Sequence, residues 1–194
     1  MSNETLLNQL RIDRACIVGH GIGGGIAQSL AIRHAERVSS LCLVDSVAFD
    51  RWPTIEGRIA RATLPVTRFL PASVLVAILR RDLRRGYGDP DRATRSLDLY
   101  LRPFAGDDGR DALVEHIRAL TTDETHELGS QLSRISARTA VVWGQQDRVI
   151  PLWVGRQLQQ AIPGATLDIV PGARHFLPEE APRQVADAIA RLIA

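Results

Sequence analysis

Cys16-Ile17-Val18-Gly19-His20-Gly21-Ile22-Gly23-Gly24-Gly25 is the stretch on which the fold turns. An apolar run at 15–18 enters a glycine-rich turn, and a helix-like stretch follows over 26–34. Gly19-x-Gly21-x-Gly23 has the spacing of the G-x-S-x-G turn, whose central residue sits on a tight, strained bend with its side chain exposed. The central residue here is Gly21, so the attacking atom is absent. The same letters, read as Gly19-x-Gly21-x-x-Gly24, fit the dinucleotide fingerprint. That second reading needs glycine at 21 for backbone approach to a pyrophosphate, and Asp45, about twenty residues on, would hold a ribose.

Outward from the turn, residues 5–10 read as the end of a helix, 15–19 as a buried strand and 23–34 as a helix. A second buried strand spans 38–45, through Leu41-Cys42-Leu43-Val44. This βαβ unit favours a parallel sheet. From 49 to about 133 the character changes: prolines at 53, 65, 71, 90 and 103 punctuate short arginine-rich amphipathic segments with no convincing strand. Strand character returns at 139–143, then a helix at 152–161, a strand at 166–170 and a last helix at 181–193. The sheet elements therefore bracket a helical insert.

Composition sets broad limits. At 194 residues, 45% hydrophobic and 24% charged, the chain is that of one soluble globular domain with or without an insertion. A net charge of +2 gives no reason to expect nucleic acid or an anionic membrane as partner. All of the positive side chains are arginine. Cys16 and Cys42 lie in apolar runs, where free cysteine behaves as a small hydrophobe, so neither a disulfide scaffold nor a metal site is expected. Residues 1–9 lack the features of a signal peptide and no apolar run reaches membrane-span length. The expectation is a cytoplasmic protein without cofactor or metal.

Three loops follow expected strands, where ligands sit in open parallel sheets. They are 19–25, then Gly144-Gln145-Gln146-Asp147-Arg148-Val149-Ile150-Pro151, then Pro171-Gly172-Ala173-Arg174-His175-Phe176-Leu177-Pro178. The chain order is glycine turn, acid, histidine. A histidine can deprotonate a hydroxyl or a water near neutral pH. A carboxylate on its other nitrogen fixes the tautomer and stabilises the imidazolium.

Val18 to Gln28, Trp143-Gly144-Gln145-Gln146-Asp147 and Gly172-Ala173-Arg174-His175-Phe176 together resemble the α/β-hydrolase superfamily, nearest its haloalkane dehalogenase, epoxide hydrolase and small-ester branches. The resemblance implies an α/β fold, a parallel sheet flanked by helices with an inserted helical cap. It implies Asp147 as triad acid, His175 as base, the Ile22 N–H as an oxyanion donor and Gly21 at the nucleophile position. Residues 1–49 and 134–194 would form the core and 50–133 the cap. Relatives carry Asp, Ser or Cys where this chain has Gly21, and the dehalogenase branch places tryptophan where it has Ile22. The family also has strands ahead of the elbow, with the second oxyanion donor. With the elbow at residue 19 that block is expected to be missing, a loss worth a factor of about a hundred to a thousand. The edge at 16–18 would then be flat and apolar, suited to a homodimer or a partner chain.

Other residues have plainer roles. His20 reads as a packing and hydrogen-bonding residue, and Asp45 as a loop cap or a second candidate acid. Arg80, Arg81, Arg84 and Arg85 share a helix face that reads as solvated, and His116 and His126 as surface residues. Trp52, Phe69, Phe104 and Trp153 line either a pocket under the cap or the core. The functional expectation is a hydrolase-type protein for a small, largely apolar alkyl halide, epoxide or ester, impaired at Gly21. The alternatives are a non-catalytic binding or assembly relative and a dinucleotide-binding protein.

Overall fold

The computed structural model of the chain describes residues 3–49, 53–120 and 123–194. Four parallel strands, β1 (Ala15–His20), β2 (Val38–Val44), β3 (Arg138–Gly144) and β4 (Thr166–Val170), lie side by side in chain order. Side chains of a strand alternate between the two faces of the sheet. Leu41, Leu43, Val141 and Trp143 therefore point to one core, packed under α2 (Ile22–Arg33) and α8 (Leu152–Ala161). Cys42, Val44, Ala140 and Val142 point to the other, under α9 (Leu177–Glu180) and α10 (Pro182–Ile193). A short N-terminal helix, α1 (Asn3–Gln9), contributes Leu7 to the first core.

The two sheet edges differ. β4 carries Asp168, ion-paired to Arg191 at 2.5 Å. β1 carries no charged residue, and Val18 on it is 45% exposed while Cys16 is half-buried. The expectation of a buried strand at 15–19 is thereby corrected: β2 and β3 are covered on both faces, β1 is not.

Between β2 and β3 run α3 (Ile55–Thr67), α4 (Ala72–Leu83), α5 (Pro90–Leu101), α6 (Asp107–Arg118) and α7 (Asp123–Gly129). Their starts are local. Thr54 caps α3 by accepting from Gly57 N, and Asp89 caps α5 by accepting from Asp91 N and Arg92 N with Pro90 in the first turn. Pro65 lies inside α3 rather than between segments, in its last turn, where the missing N–H removes a single helical bond. Two small apolar clusters hold these helices, one around Leu64, Leu75, Leu113 and Val114, the other around Tyr87, Ala93, Leu97 and Leu101. Leu128 and Leu132 already pack in the sheet core with Leu30 and Leu43. Two arginines of the stripe are ion-paired, Arg80 with Asp98 at 2.6 Å and Arg85 with Glu56 and Asp82. No described helix is long and apolar enough to cross a membrane.

Candidate active site

The three loops expected to carry chemistry leave the same, C-terminal, edge of the sheet, with Gly21 after β1, Asp147 after β3 and His175 after β4, and Asp45 follows β2 at that edge. The glycine turn is built by contact as much as by torsion. A Cβ on Gly19 would stand 2.4 Å from the Gly23 carbonyl oxygen, and one on Gly24 2.0 Å from Ser46 Oγ, so strand and helix meet too closely for side chains there. Gly21 has φ 54° and ψ −120°, a region costly for other residues. Its N–H donates to Val44 O at 3.1 Å and its carbonyl accepts from Val47 N at 3.0 Å, so the end of β2 holds the bend from both sides. Buried Gln28 on α2 completes the clamp by donating to Ser46 Oγ (2.9 Å) and Val47 O (2.8 Å).

A Cβ on Gly21 would meet only the His175 ring, 3.6 Å from Nε2 and 3.9 Å from Cε1. The position is thus open in space and aimed at the imidazole. His175 Nδ1 donates to Asp147 Oδ2 at 2.9 Å, which leaves Nε2 with its lone pair toward Gly21. Asp147 is locked in turn: its Oδ1 accepts from Val149 N (2.7 Å) and Ile150 N (2.9 Å), and its side chain is fully buried. Gln146 N donates to Ala173 O at 2.9 Å, tying the acid loop to the histidine loop. The Ile22 N–H lies in the first turn of α2, where backbone donors lack an intrahelical acceptor. Ile22's side chain is half exposed beside it.

His20 holds the histidine loop from below. A carbonyl can only accept, so His20 Nε2–H donates to His175 O at 2.8 Å. Burial, reinforced by the neighbouring His175, lowers the His20 pKa and favours the neutral ring. Asp45 is fully buried, and its Oδ1 accepts from Gly144 N at 2.8 Å. Burial, then repulsion from Asp147, pushes its carboxyl well above the usual carboxylate range. This buried side chain, pinned to the end of β3, is withdrawn from any ribose, and the dinucleotide reading loses its acid. His20, Asp45 and His175 bring ligand-type atoms within 4.8 Å of one another, a group with donors suited to a cation. His20 Nε2 and His175 Nδ1 are already engaged as above.

Sequence reasoning missed the residues that fix the histidine loop from the helical side. The Phe176 ring stacks on Tyr87 at 4.2 Å, and Phe176 N donates to Gly86 O at 3.2 Å. Arg174 donates from its guanidinium to Tyr87 O at 2.6 Å. Glu179 accepts from the hydroxyls of Tyr87 (3.0 Å), Ser96 (2.5 Å) and Tyr100 (2.7 Å). Glu180 accepts from Gly88 N and Arg174 N. The only hint in the sequence was the adjacent Glu179-Glu180 pair right after the histidine loop. Of the aromatic residues singled out for a pocket or the core, Phe104 takes the core role, among the inserted helices, and the exposed ones do not. Phe69 is exposed under Arg68, Trp153 is partly exposed on α8, and Phe104 packs among the inserted helices. Trp52 lies outside the described residues. His116 and His126 are exposed, as expected.

Comparison with known proteins places the chain by sequence and by fold. The sequence is similar to the uncharacterized hydrolase YugF of Bacillus subtilis, 27% identical over 192 residues, covering 97% of this chain and 68% of that protein. It is also similar to a 2-hydroxymuconate semialdehyde hydrolase of Pseudomonas putida, 28% identical over 189 residues, covering 97% of this chain and 66% of that one. A crystal structure of an alpha/beta hydrolase fold protein from Burkholderia ambifaria superimposes with a TM-score of 0.87 at 24% identity, over 96% of this chain and 68% of that chain. The model of the Alpha/beta hydrolase family matches residues 3–188, so the chain belongs to the α/β-hydrolase family.

Proposed function

We propose that the chain hydrolyses a small, largely apolar substrate with water, rather than a side chain, as the attacking group. His175 Nε2 takes a proton from a water beside Gly21 as the water oxygen bonds to the substrate carbonyl carbon and the carbonyl electron pair moves to oxygen. On collapse the bond to the leaving oxygen breaks and Nε2 returns the proton to it. Asp147 stabilises the imidazolium, and the Ile22 N–H meets the negative charge that develops on the substrate oxygen. The observation that carries this reading is the aim of the Gly21 position at the base: beyond its chain neighbours, a Cβ there would have only the His175 ring within 4 Å, with Nε2 at 3.6 Å. Among alkyl halide, epoxide and ester, the ester suits these parts best. Attack on a carbonyl needs only a base and an N–H donor, whereas a halide leaving group has no tryptophan at Ile22 to hold it. Replacing His175 by Ala tests the reading: release of p-nitrophenol from short-chain p-nitrophenyl esters is expected to fall to the buffer rate. A rate unchanged by that substitution overturns it and leaves the non-catalytic reading.

One observation favours association as well. The β1 edge lacks the charge that guards β4, and unprotected edges pair with further strands. A second copy or a partner chain is the proposed occupant. In sedimentation velocity the purified chain is expected to show mass rising with concentration; a monomer throughout counts against it.

A further inference from the structure

We infer that Glu179 is a positioning residue for His175: it ties the inserted helices to the loop that carries the base, and the imidazole stays aimed at Gly21 only while that tie holds. Its effect on rate rests on the water-activating reading above, and the inference goes beyond that reading by naming what sets the base in place. The peptide between His175 and Phe176 is held from two sides. Its carbonyl accepts from His20 Nε2 at 2.8 Å, on the side of the sheet. Its N–H donates to Gly86 O at 3.2 Å, on the side of the inserted helices. Gly86 lies close: a Cβ on it would stand 2.7 Å from Phe176 Cε2 and 3.3 Å from His175 Cβ. The turn before α5 therefore bears on the histidine itself. Without that bearing the peptide is free to rotate about its bond to His20, and the imidazole turns with it.

The turn must itself be held, and Glu179 does this. The ring of Tyr87, next to Gly86, stacks on Phe176, and its hydroxyl donates to Glu179 Oε1 at 3.0 Å. Tyr100 donates to the same oxygen at 2.7 Å and Ser96 to Oε2 at 2.5 Å. Ser96 and Tyr100, four residues apart, share a face of α5, so one carboxylate collects donors from both the turn and the helix. Burial opposes the charge on Glu179, but the three hydroxyls outweigh it and its pKa is lowered, so at neutral pH it is a carboxylate that only accepts. Such charge-assisted bonds are stronger than neutral ones. Glu180 draws the same turn to the other flank of the loop, accepting from Gly88 N and Arg174 N, and Arg174 donates to Tyr87 O. His175 is thus bracketed by residues 174, 176 and 179, each bonded to the turn at 86–88.

In the full chain, Glu179→Ala is expected to lower kcat for p-nitrophenyl acetate by about ten- to a hundredfold, the cost of misplacing a reacting group by about 1 Å. The assay is run well below the melting temperature of the variant. The downfield proton resonance of His175 Nδ1 bonded to Asp147, identified by its absence from His175→Ala, is expected to broaden or vanish in Glu179→Ala. Glu179→Gln should restore both, because its amide oxygen accepts from the two tyrosines while its NH₂ donates to Ser96 Oγ. A Glu179 that only stabilises the fold would lower Tm in Glu179→Ala and leave kcat and the resonance unaltered, which overturns the inference. Should Glu179→Ala fail to fold, the double variant Tyr87→Phe, Tyr100→Phe decides, since it keeps both rings and removes both donors to Oε1. An unaltered resonance and kcat in that variant likewise overturn the inference. Absence of any His175-dependent release by the unaltered chain overturns the water reading instead, and the resonance then decides the positioning role alone.

Discussion

Gly21→Ser is expected to raise p-nitrophenyl ester hydrolysis by about a hundredfold or more, since nucleophile removal in serine hydrolases costs up to about a millionfold. Space permits the side chain: its Cβ would be in ordinary contact with the His175 ring, 3.6 Å from Nε2, and the hydroxyl would reach hydrogen-bond range of the base. Asp147 already orients that base from the far side. The backbone at φ 54° and ψ −120° resists any side chain, at a cost of about 1–3 kcal/mol. For a chain of this size that is a fall in Tm of about 2–12 °C, read by differential scanning calorimetry. Gly21→Ala should show the same fall in Tm with no gain in rate. A folded Gly21→Ser protein with the unaltered rate would mean that the elbow is not aimed as described.

A large loss of stability is expected from Gly144→Ala. A Cβ there would stand 2.3 Å from Arg174 O, 2.8 Å from Ala173 O and 2.9 Å from Arg174 C. All three atoms are backbone, so no rotamer change relieves the clash; strand end and histidine loop must part. Overpacking of this kind costs about 3 kcal/mol or more, and Tm should fall by about 6–12 °C. Separation of the two loops also strains the Asp147–His175 bond and the Gly144 N–H bond to Asp45, so ester hydrolysis should drop with stability. Gly106→Ala is the control, because a Cβ there meets nothing within 4 Å and the change at a helix start costs about 1 kcal/mol or less. Equal melting temperatures for the two variants would contradict the close packing at Gly144.

These two glycines also show where sequence reasoning succeeds and stops. Gly21, Asp147 and His175 were legible because their chemistry is carried by loops after strands, and the strands announce themselves as apolar runs. The same reading divided Gly19-x-Gly21-x-x-Gly24 between a phosphate loop and an elbow, since letters do not tell where a Cβ would point. The contact of Gly24 with Ser46, and the burial of Asp45 against Gly144, belong to β2 and β3 rather than to the motif. The stack of Phe176 on Tyr87 joins residues far apart in the chain with no periodic signal to link them. Asp45 was visible as an acid at a strand end, yet its pairing with Gly144 N depends on the register of β2 with β3. The exposure of Val18 follows from the edge position of β1, which its own apolar letters do not reveal.

In the proposed mechanism this elbow works with water in the place of a side chain, and the first turnover tests that most directly. A nucleophilic enzyme releases a burst of p-nitrophenol equal to its active sites before deacylation limits the rate. In stopped-flow mixing with p-nitrophenyl acetate, the unaltered chain should release p-nitrophenol linearly from the first turnover. The Gly21→Ser protein should show the burst. A stoichiometric burst from the unaltered chain would reveal a covalent nucleophile elsewhere and contradict the account.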